Sequence, residues 1–327
     1  MSEFRLTTVE EFEAATARLL ETGAKVGADS WQARVKNQTP HCKFGEEGVC
    51  CRICTMGPCR ITKKAPRGIC GCDVHGIVGR NYLKFTAGGA ATHSDHGREI
   101  CHTLYATAAD GCYKVKDPDK LIRIAKEWGI ETEGKDIYDL AHEVAYEGLM
   151  EYGKPFGTQR FLKRAPESQQ KLWEENELAP RAIDREVSCS LHMAHMGCSS
   201  KPEALVKQSI RAGLSDGWGG SMMGTEFSDV LFGTPKPIET EANLGVMVEE
   251  NVNIVVHGHD PSLSEMICEV ADSPEMVAYA KEMGAKGITI SGVCCTSNEV
   301  AMRRGIPMAG NFLQQENVVL TGACEAI

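Results

Sequence analysis

A block of cysteines near the N-terminus constrains this 327-residue chain more than any other feature. Seven of the 15 cysteines lie between residues 42 and 72, namely Cys42, Cys50, Cys51, Cys54, Cys59, Cys70 and Cys72. Glycine, proline and basic residues surround them, and neither helical nor strand periodicity can be followed through residues 40–75. We therefore expect a loop region whose order comes from something other than a hydrophobic core.

The use of cysteine narrows the class of protein. A secreted disulfide scaffold is short and follows a signal peptide, whereas residues 1–11 contain no apolar segment of that kind. No run approaches the roughly 18 apolar residues of a membrane span. We predict a cytoplasmic protein whose thiols serve metal or redox chemistry.

Composition excludes two further classes. The chain carries 35 basic and 45 acidic residues, a formal net charge of −10, and only 6% of its residues are aromatic. An acidic, aromatic-poor chain is not typical of nucleic-acid binding, so we expect no nucleic-acid partner. A hydrophobic content of 42% argues against disorder, and the length suggests two domains.

Helical signals dominate the first part of the chain. The N-terminus is predicted to open with a helix, because Thr8 and Glu11 form a capping-box pair and Phe12, Ala15 and Leu19 recur at helical spacing. Further helical signals run from 85 to 235, and we expect no strand before about residue 245.

The pattern changes after residue 245. Residues 252–259 and 287–293 are predicted to be buried strands, 261–283 a helix, and a second helix is expected from about Ser297. Residues 317–321 fit either a third strand or a helix end. This alternation is typical of a parallel, doubly wound sheet.

We therefore predict a multidomain α and α/β protein with a boundary near residue 240, after Pro235-Lys236-Pro237. Residues 1–240 would form a mostly helical domain that carries the cysteine block. Residues 241–327 would form the first part of a Rossmann-like parallel α/β domain, which the end of the chain truncates.

Four cysteines have spacing suited to a metal–sulfur site. The arrangement C-x2-C-x4-C-x10-C supplies four thiolates from Cys51, Cys54, Cys59 and Cys70. Four separated thiolates fit a four-iron cluster. Tetrahedral zinc would also accept them, although zinc ribbons usually pair two C-x2-C turns. The spacing favours the cluster.

Cys42 and Cys50 remain as a pair of thiolates, which is half a cluster site. A cluster shared between two chains across a two-fold axis would use them, since a symmetric interface presents the same ligands twice. Two structural thiols are an equally good interpretation. No role is assigned to Cys72, Cys101, Cys112, Cys189 or Cys198.

A second candidate site lies at the predicted strand ends. His257 and His259 follow the first strand, and Cys294 and Cys295 follow the second. Ligand sites in open parallel sheets form at the carboxyl ends of strands. An imidazole and a thiolate there could bind nickel, iron or zinc, or the histidines could be structural.

A third candidate is a series of polar residues at three-residue intervals, His93, His96, Glu99 and His102. Such spacing places them along one slowly drifting helical face. Because imidazoles titrate near neutrality, the series could relay protons. An ordinary polar surface is the alternative.

Taken together, these segments resemble the catalytic subunit of the anaerobic nickel-iron-sulfur carbon monoxide dehydrogenases. The resemblance runs from about residue 40 to the last residue. Its specific blocks are residues 50–61, 70–71, 79–81, 93–102, 216–222, 257–261, 292–296 and 305–312.

The resemblance implies three metal clusters. The first is an internal 4Fe–4S relay cluster held by Cys51, Cys54, Cys59 and Cys70. The second is a 4Fe–4S cluster shared across a homodimer, to which each subunit contributes Cys42 and Cys50. The third is a Ni-Fe-S active cluster with His259 and Cys295 as ligands and Cys294 nearby.

The resemblance also implies an activity, CO + H2O ⇌ CO2 + 2H+ + 2e−. His93, His96 and His102 would form the proton path, with Glu99 at a position that varies in the family and Asp216 as an active-site acid. Electrons would leave through the four-iron clusters to a ferredoxin-like acceptor, with a hydrogenase or an acetyl-CoA synthase as further candidate partners.

The chain departs from the family in one respect. Four more cysteine ligands and a lysine acid–base residue are expected after position 327, so we expect this chain alone to be inactive. Two alternatives stay open, a relative of the hybrid-cluster reductases and a non-catalytic electron-transfer module that holds only the relay clusters.

Overall fold

The computed structural model describes residues 9–327, which form two compact units. The helical unit is His41–Thr234, and the sheet unit combines the described residues up to Pro40 with Pro235–Ile327. Thr8, and with it the predicted capping box, lies outside the described residues. The division into domains at residues 1–240 and 241–327 stays a prediction.

The helical unit contains eight α-helices and two short strands within the described chain. They are α3 (Lys43–Glu46), β1 (Cys50–Cys51), β2 (Cys59–Arg60), α4 (Val74–Asp110), α5 (Pro118–Glu127), α6 (Ile137–Glu151), α7 (Glu167–Glu175), α8 (Ile183–Ala194), α9 (Pro202–Ser215) and α10 (Met222–Phe232). A 3-10 helix spans Arg160–Arg164, and a π-helical segment, Asp216–Ser221, joins α9 to α10.

Helix α4 is the axis of the helical unit. It has 37 residues, about 55 Å at 1.5 Å per residue. The Asp73 side chain caps its first turn by accepting the Gly76 N–H, and Gly111 ends it in the left-handed conformation. Helices α6, α8, α9 and α10 pack around it. Leu83, Ile100 and Leu104 are fully buried between them, so one face of α4 lies against the core and the opposite face is open to solvent.

The sheet unit contains the remaining elements. They are α1 (Val9–Lys25), α2 (Trp31–Asn37), β3 (Val252–His257), α11 (Pro261–Ala271), α12 (Pro274–Glu282), β4 (Ile288–Val293), α13 (Cys294–Arg304), β5 (Met308–Gly310) and α14 (Gln315–Leu320). Short 3-10 helices span Leu244–Val246 and Phe312–Gln314.

The three strands form a parallel sheet in the order β3-β4-β5. Val255 and Val293 belong to a core cluster with Val318 of α14, whereas Val256 and Ile290 belong to a separate cluster with α11 and α13. Burial on both faces is typical of parallel sheets. The predicted class, multidomain α and α/β, is confirmed.

Several predicted elements need correction. The predicted helix 261–283 is two helices, because Ser273 caps and Pro274 begins a new one. Of the two alternatives for residues 317–321, the helix end is confirmed, since α14 runs from Gln315 to Leu320, and the third strand is β5. Helix α13 begins at Cys294, three residues earlier than expected. The expectation of no strand before residue 245 was wrong, since the cysteine loop pairs β1 with β2.

Residues 9–40 make their described contacts with the C-terminal part of the chain. The Glu316 carboxylate accepts the Trp31 backbone N–H and pairs with Arg34. The side chain of Leu320 lies against Gly23. Among the described residues, no helix is both long and apolar enough to cross a membrane.

Candidate metal centres

The four cysteines with cluster spacing line one cavity in the helical unit. Its walls are Cys51, Ile53, Cys54, Gly57, Cys59, Gly68, Ile69, Cys70, Ile77, Arg80 and Met196. The pairing of β1 with β2 sets Cys51 opposite Cys59, and the C-x2-C turn brings Cys54 to the same wall. The cavity has about 360 Å³ of empty space, part of it open to solvent.

Hydrogen-bond donors point at two of the four sulfurs. The Ile69 backbone N–H donates to Cys59 Sγ at 3.4 Å, and Arg80 Nη1 donates to Cys70 Sγ at 3.5 Å. A hydrogen bond from the Cys72 backbone, opposed by partial burial and assisted by Arg80, lowers the pKa of the Cys70 thiol. N–H donors and a nearby cation favour the thiolate, which is the form that binds metal.

The donor set fits an iron–sulfur cluster. All 15 cysteines are free thiols, so none of the four is committed to a disulfide. Apolar side chains from Ile53, Ile69, Ile77 and Met196 form much of the remaining wall. Four thiols, N–H donors to sulfur and an apolar surround are the features through which proteins hold and tune such clusters.

Cys42 and Cys50 lie outside this cavity lining. Cys42 precedes α3 and is exposed, whereas Cys50 in β1 is partly buried. Asn81 of α4 holds the intervening loop, because its side-chain amide donates to the carbonyls of Gly48 and Cys50 at 3.1 and 2.9 Å. The two thiols therefore share one anchored loop at the surface.

Two unassigned cysteines are buried instead. Cys72 is 2% exposed, and burial raises its pKa. Cys101 of α4 is fully buried, and burial raises its pKa to about 12. Thiols with raised pKa values are poor metal ligands and poor nucleophiles, so both behave as small core residues.

The strand-end residues lie on two adjacent turns in the sheet unit. His257 pairs with Val293 across β3 and β4, so His259 and Cys295 each follow that pair by two positions. The Thr296 N–H donates to the Gly258 carbonyl at 2.9 Å and ties the turns together. Both His259 and Cys295 are exposed. Their role as metal ligands stays a prediction.

The geometry of this second site has two further features. Cys294 has φ 71°, a left-handed conformation that costs energy in a non-glycine residue. It begins α13 at the point where the chain leaves β4. Within residues 9–327, no three His, Cys, Asp or Glu side chains meet as they do around a single metal ion.

His93 and Asp216 form a hydrogen-bonded pair in the helical unit. His93 Nδ1 lies 2.7 Å from Asp216 Oδ1, and both side chains are about one-third exposed or less. Burial raises the pKa of Asp216, and the neighbouring His93 opposes this shift. A carboxyl with a raised pKa lies closer to imidazole in proton affinity, so proton exchange between the two groups is easier.

The other histidines of the series continue along α4. The rings of His93 and His96 are 6.5 Å apart between centroids, edge to face. His96 is partly buried, whereas Glu99 and His102 are exposed. The series therefore runs from the half-buried His93–Asp216 pair to the protein surface.

Glycines allow α4 and the π-helical segment to approach closely at this pair. A Cβ on Gly220 would lie 2.8–2.9 Å from the backbone and Cβ of His93, and one on Gly224 would lie 3.0 Å from the His96 ring. π-Helical turns are frequent at functional sites. Here the segment brings Asp216 to His93.

Two features of these sites were not predicted from the sequence. They are the glycines that allow close packing at the His93–Asp216 pair and the buried Arg80 at the cysteine cavity. Arg80 follows Ile77 and precedes Leu83 at three-residue spacing, and all three side chains are buried. A charged residue within a buried helical stripe is the signal that could have identified it.

Four thiols around one cavity, in a chain that joins a helical unit to a parallel sheet, are typical of metal–sulfur proteins. Comparison with known families makes that class specific. The chain belongs to the Prismane/CO dehydrogenase family, whose family model matches residues 49–327.

Relatives agree with this assignment. Carbon monoxide dehydrogenase 1 of Methanosarcina mazei is 45% identical over 323 residues, which cover 97% of this chain and 51% of the relative. The beta subunit of the carbon monoxide dehydrogenase/acetyl-CoA synthase of Moorella thermoacetica is 42% identical, covering 89% of this chain and 44% of the relative. The chain thus spans about half the length of these curated relatives.

Solved structures give the same result. A nickel-free crystal structure of carbon monoxide dehydrogenase from Thermococcus sp. AM4 matches with a TM-score of 0.92 and 48% identity, over 95% of this chain and 50% of that one. Carbon monoxide dehydrogenase IV from Carboxydothermus hydrogenoformans matches with a TM-score of 0.88 and 40% identity, over 94% and 49%.

Proposed function

We propose that this chain supplies the electron relay, part of the active-cluster ligand set and the proton path of a nickel-iron-sulfur carbon monoxide dehydrogenase, which oxidises CO with water to CO2, two protons and two electrons. One observation carries the proposal, the convergence of four free cysteines on one cavity. The names of relatives at 42–45% identity support the reaction.

The relay cluster would occupy the cysteine cavity, bound by Cys51, Cys54, Cys59 and Cys70. Apolar side chains form much of the wall, and the N–H donors at Cys59 and Cys70 stabilise negative charge on sulfur. The chain's own contribution is four thiols around one cavity, two of which accept hydrogen bonds from fixed donors.

A second four-iron cluster would be shared between two copies of the chain, with Cys42 and Cys50 as one copy's ligands. Val78, Tyr82 and Phe85 of α4 are exposed apolar residues at helical spacing. This stripe borders the cysteine loop, since a Cβ on Gly48 would lie 3.9 Å from Val78 Cγ2. An exposed apolar stripe beside half a ligand set supports a homodimer with the cluster at its axis.

The active cluster would take His259 and Cys295 as two of its protein ligands, with Cys294 nearby. When bound, such a group supplies metal ions that bind CO and make water nucleophilic at neutral pH. The hydrogen bond from Thr296 to Gly258 holds the two turns that carry these ligands.

Two protons leave in each turnover, and the His93–Asp216 pair would accept them. The 2.7 Å contact between Nδ1 and Oδ1 lets a proton move between the two groups. His96 and then the exposed His102 would carry protons to solvent along α4.

Electrons would pass to a small acidic carrier of the ferredoxin type. Five exposed cations follow the first relay cysteine in the sequence, Arg52, Arg60, Lys63, Lys64 and Arg67, and we call them the basic loop. In a chain of net charge −10, this concentration of positive charge beside the relay site suits an acidic partner. Acetyl-CoA synthase is a second candidate partner, supported by the name of the Moorella relative.

Two alternatives are separated by metal content. The family description includes both Prismane and CO dehydrogenase proteins, so a hybrid-cluster reductase is one alternative. A non-catalytic electron-transfer module is the other. Nickel is expected only for the CO dehydrogenase.

The test is anaerobic purification of the chain, followed by iron and nickel analysis and CO-dependent viologen reduction. We expect about four irons for the relay cluster and about two per chain for the shared one. A Cys42→Ser, Cys50→Ser double variant should lose the latter, whereas Cys112→Ser, which alters an exposed cysteine outside the cavity lining, should lose none.

The outcomes are distinct. Iron without nickel or CO oxidation would support the electron-transfer module for this chain alone, and nickel with turnover would support the dehydrogenase. A chain that binds no iron, or whose iron is unaffected when Cys51 and Cys54 are replaced by serine, would refute the relay assignment.

A further inference from the structure

The guanidinium of Arg80 is buried in the wall of the cysteine cavity. Arg80 is 3% exposed and lies on α4, one helical turn after Ile77, which lines the same cavity. Burying a cation away from water is costly unless an opposite charge or hydrogen-bond acceptors compensate it. The groups around Arg80 therefore indicate why it is there.

Two acceptors orient the guanidinium. Arg80 Nε donates to the Ser199 carbonyl at 2.7 Å, and Nη1 donates to Cys70 Sγ at 3.5 Å. A carbonyl supplies a dipole but no net charge. Of these two acceptors, only the Cys70 sulfur becomes an anion, because cysteine binds metal as a thiolate.

The backbone around Arg80 is shaped to make this contact. A Cβ on Gly76 would lie 2.8 Å from the Ser200 carbonyl oxygen, and one on Gly79 would lie 3.2 Å from the Leu205 side chain. The two glycines let the segment that begins with Ser199 pack directly on α4. That close packing places the Ser199 carbonyl where it fixes the direction of the Arg80 side chain.

We propose that Arg80 is a positioning residue of the relay site, a fixed counter-charge that holds the Cys70 sulfur and raises the reduction potential of the cluster bound there. The proposal rests on the proposed relay function. Reduction adds one electron, and one negative charge, to a site that already carries four thiolates. A buried cation stabilises the reduced form more than the oxidised form, because attraction grows with the charge of the partner and the surroundings screen it weakly.

The exposed basic loop cannot replace this contribution. Charges in contact with water are screened by solvent and salt, whereas Arg80 is only 3% exposed and is screened less. Removing the Arg80 charge should therefore lower the midpoint potential of the relay cluster, while removing an exposed cation of the same region should leave it nearly unchanged.

The experiment is a redox titration of the anaerobically purified chain, followed by electron paramagnetic resonance with dithionite as reductant. The Cys42→Ser, Cys50→Ser background removes the shared cluster, so that the relay cluster alone contributes. Arg80→Met removes the charge at similar length, Arg80→Lys keeps it, and Arg60→Met is the matched control at an exposed arginine.

We expect Arg80→Met to lower the midpoint potential of the relay cluster by at least about 59 mV. For a one-electron couple, this is a tenfold shift of the reduction equilibrium toward the oxidised form. Arg80→Lys should recover part of the shift, and Arg60→Met should match the parent. If Arg80→Met loses iron, retention of iron by Arg80→Lys still supports a requirement for charge.

Two results would overturn the proposal. One is a midpoint in Arg80→Met equal to that of the parent, and the other is equal loss of iron from Arg80→Met and Arg80→Lys, which would indicate a role of shape alone. Failure of the relay function itself looks different, since the parent chain would then bind no iron at all.

Discussion

A single methyl group at Gly220 should separate the π-helical segment from α4. A Cβ there would lie 2.8 Å from the His93 carbonyl carbon, whereas ordinary contact begins at about 3.4 Å. The two elements must move apart by about 0.6 Å, because the opposing atoms are backbone and cannot rotate away. Overpacking of this kind costs about 1–3 kcal/mol of unfolding free energy.

The same movement should weaken the His93–Asp216 pair. Asp216 lies on the displaced segment, and its 2.7 Å contact with His93 would approach the usual limit of about 3.2 Å for a hydrogen bond. If the proposed function holds, Gly220→Ala should lower CO oxidation as well as stability. Any loss of activity should exceed the loss of folded protein.

Two neighbouring glycines provide matched controls. A Cβ on Gly217, in the same segment, meets nothing within 4 Å, and one on Gly224 meets the movable His96 ring at 3.0 Å. Destabilisation should therefore increase from Gly217→Ala through Gly224→Ala to Gly220→Ala, measured by urea unfolding with tryptophan fluorescence. The reasoning is refuted if Gly220→Ala unfolds at the same urea concentration as Gly217→Ala.

Three further predictions follow from particular residues. Burial raises the pKa of Asp216, so the folded protein binds this proton more tightly than the unfolded chain does. The unfolding free energy of the parent relative to Asp216→Asn should therefore fall as the pH rises from about 4, the ordinary value for aspartate, through the raised pKa. Parallel pH curves for the two proteins would contradict this. Because Cys294 has φ 71°, Cys294→Gly should be more stable than Cys294→Ala by about 1 kcal/mol in denaturant unfolding, the reverse of an ordinary helical position; equal stabilities would exclude strain at this residue. A Lys63→Glu, Lys64→Glu double change should slow electron transfer to an acidic ferredoxin in stopped-flow measurements and weaken its salt dependence, and an unchanged rate would remove the basic loop from docking.

Local patterns were sufficient for strands β3 and β4 and for grouping the four cysteines, whereas the short strand β5 was missed. The apolar runs of β3 and β4 are bounded by polar and glycine residues, and their predicted limits differ from the observed ones by at most two residues. The spacing of the four cysteines is itself local, since short turns between Cys51 and Cys59 decide where the sulfurs point. Such features depend on the spacing of residues within a short segment, and this spacing can be read from the sequence alone.

Contacts between distant segments could not be predicted in this way. The packing of α1 and α2 with α14 includes pairs such as Arg34 with Glu316. The local sequence of each segment does not identify the segment that packs against it. The break between α11 and α12 is different, since Ser273-Pro274 is a recognisable helix start that the longer apolar pattern concealed. Gly220 likewise needed the structure, because only the position of His93 explains why no side chain fits.

The positive charges near the cysteine block divide into two groups that act over different distances. Arg80 is buried and donates a hydrogen bond to the Cys70 sulfur, whereas Lys63 and Lys64 are exposed. At physiological salt, the interaction between solvent-exposed charges is screened over about 8 Å. The exposed lysines therefore attract only a partner that has already come close. Ionic strength should therefore separate the two contributions, because added salt weakens docking at the basic loop while leaving the midpoint potential set by Arg80 nearly constant. A midpoint potential that shifts strongly with added salt would mean that dissolved ions screen the cluster and that the buried Arg80 does not set its potential.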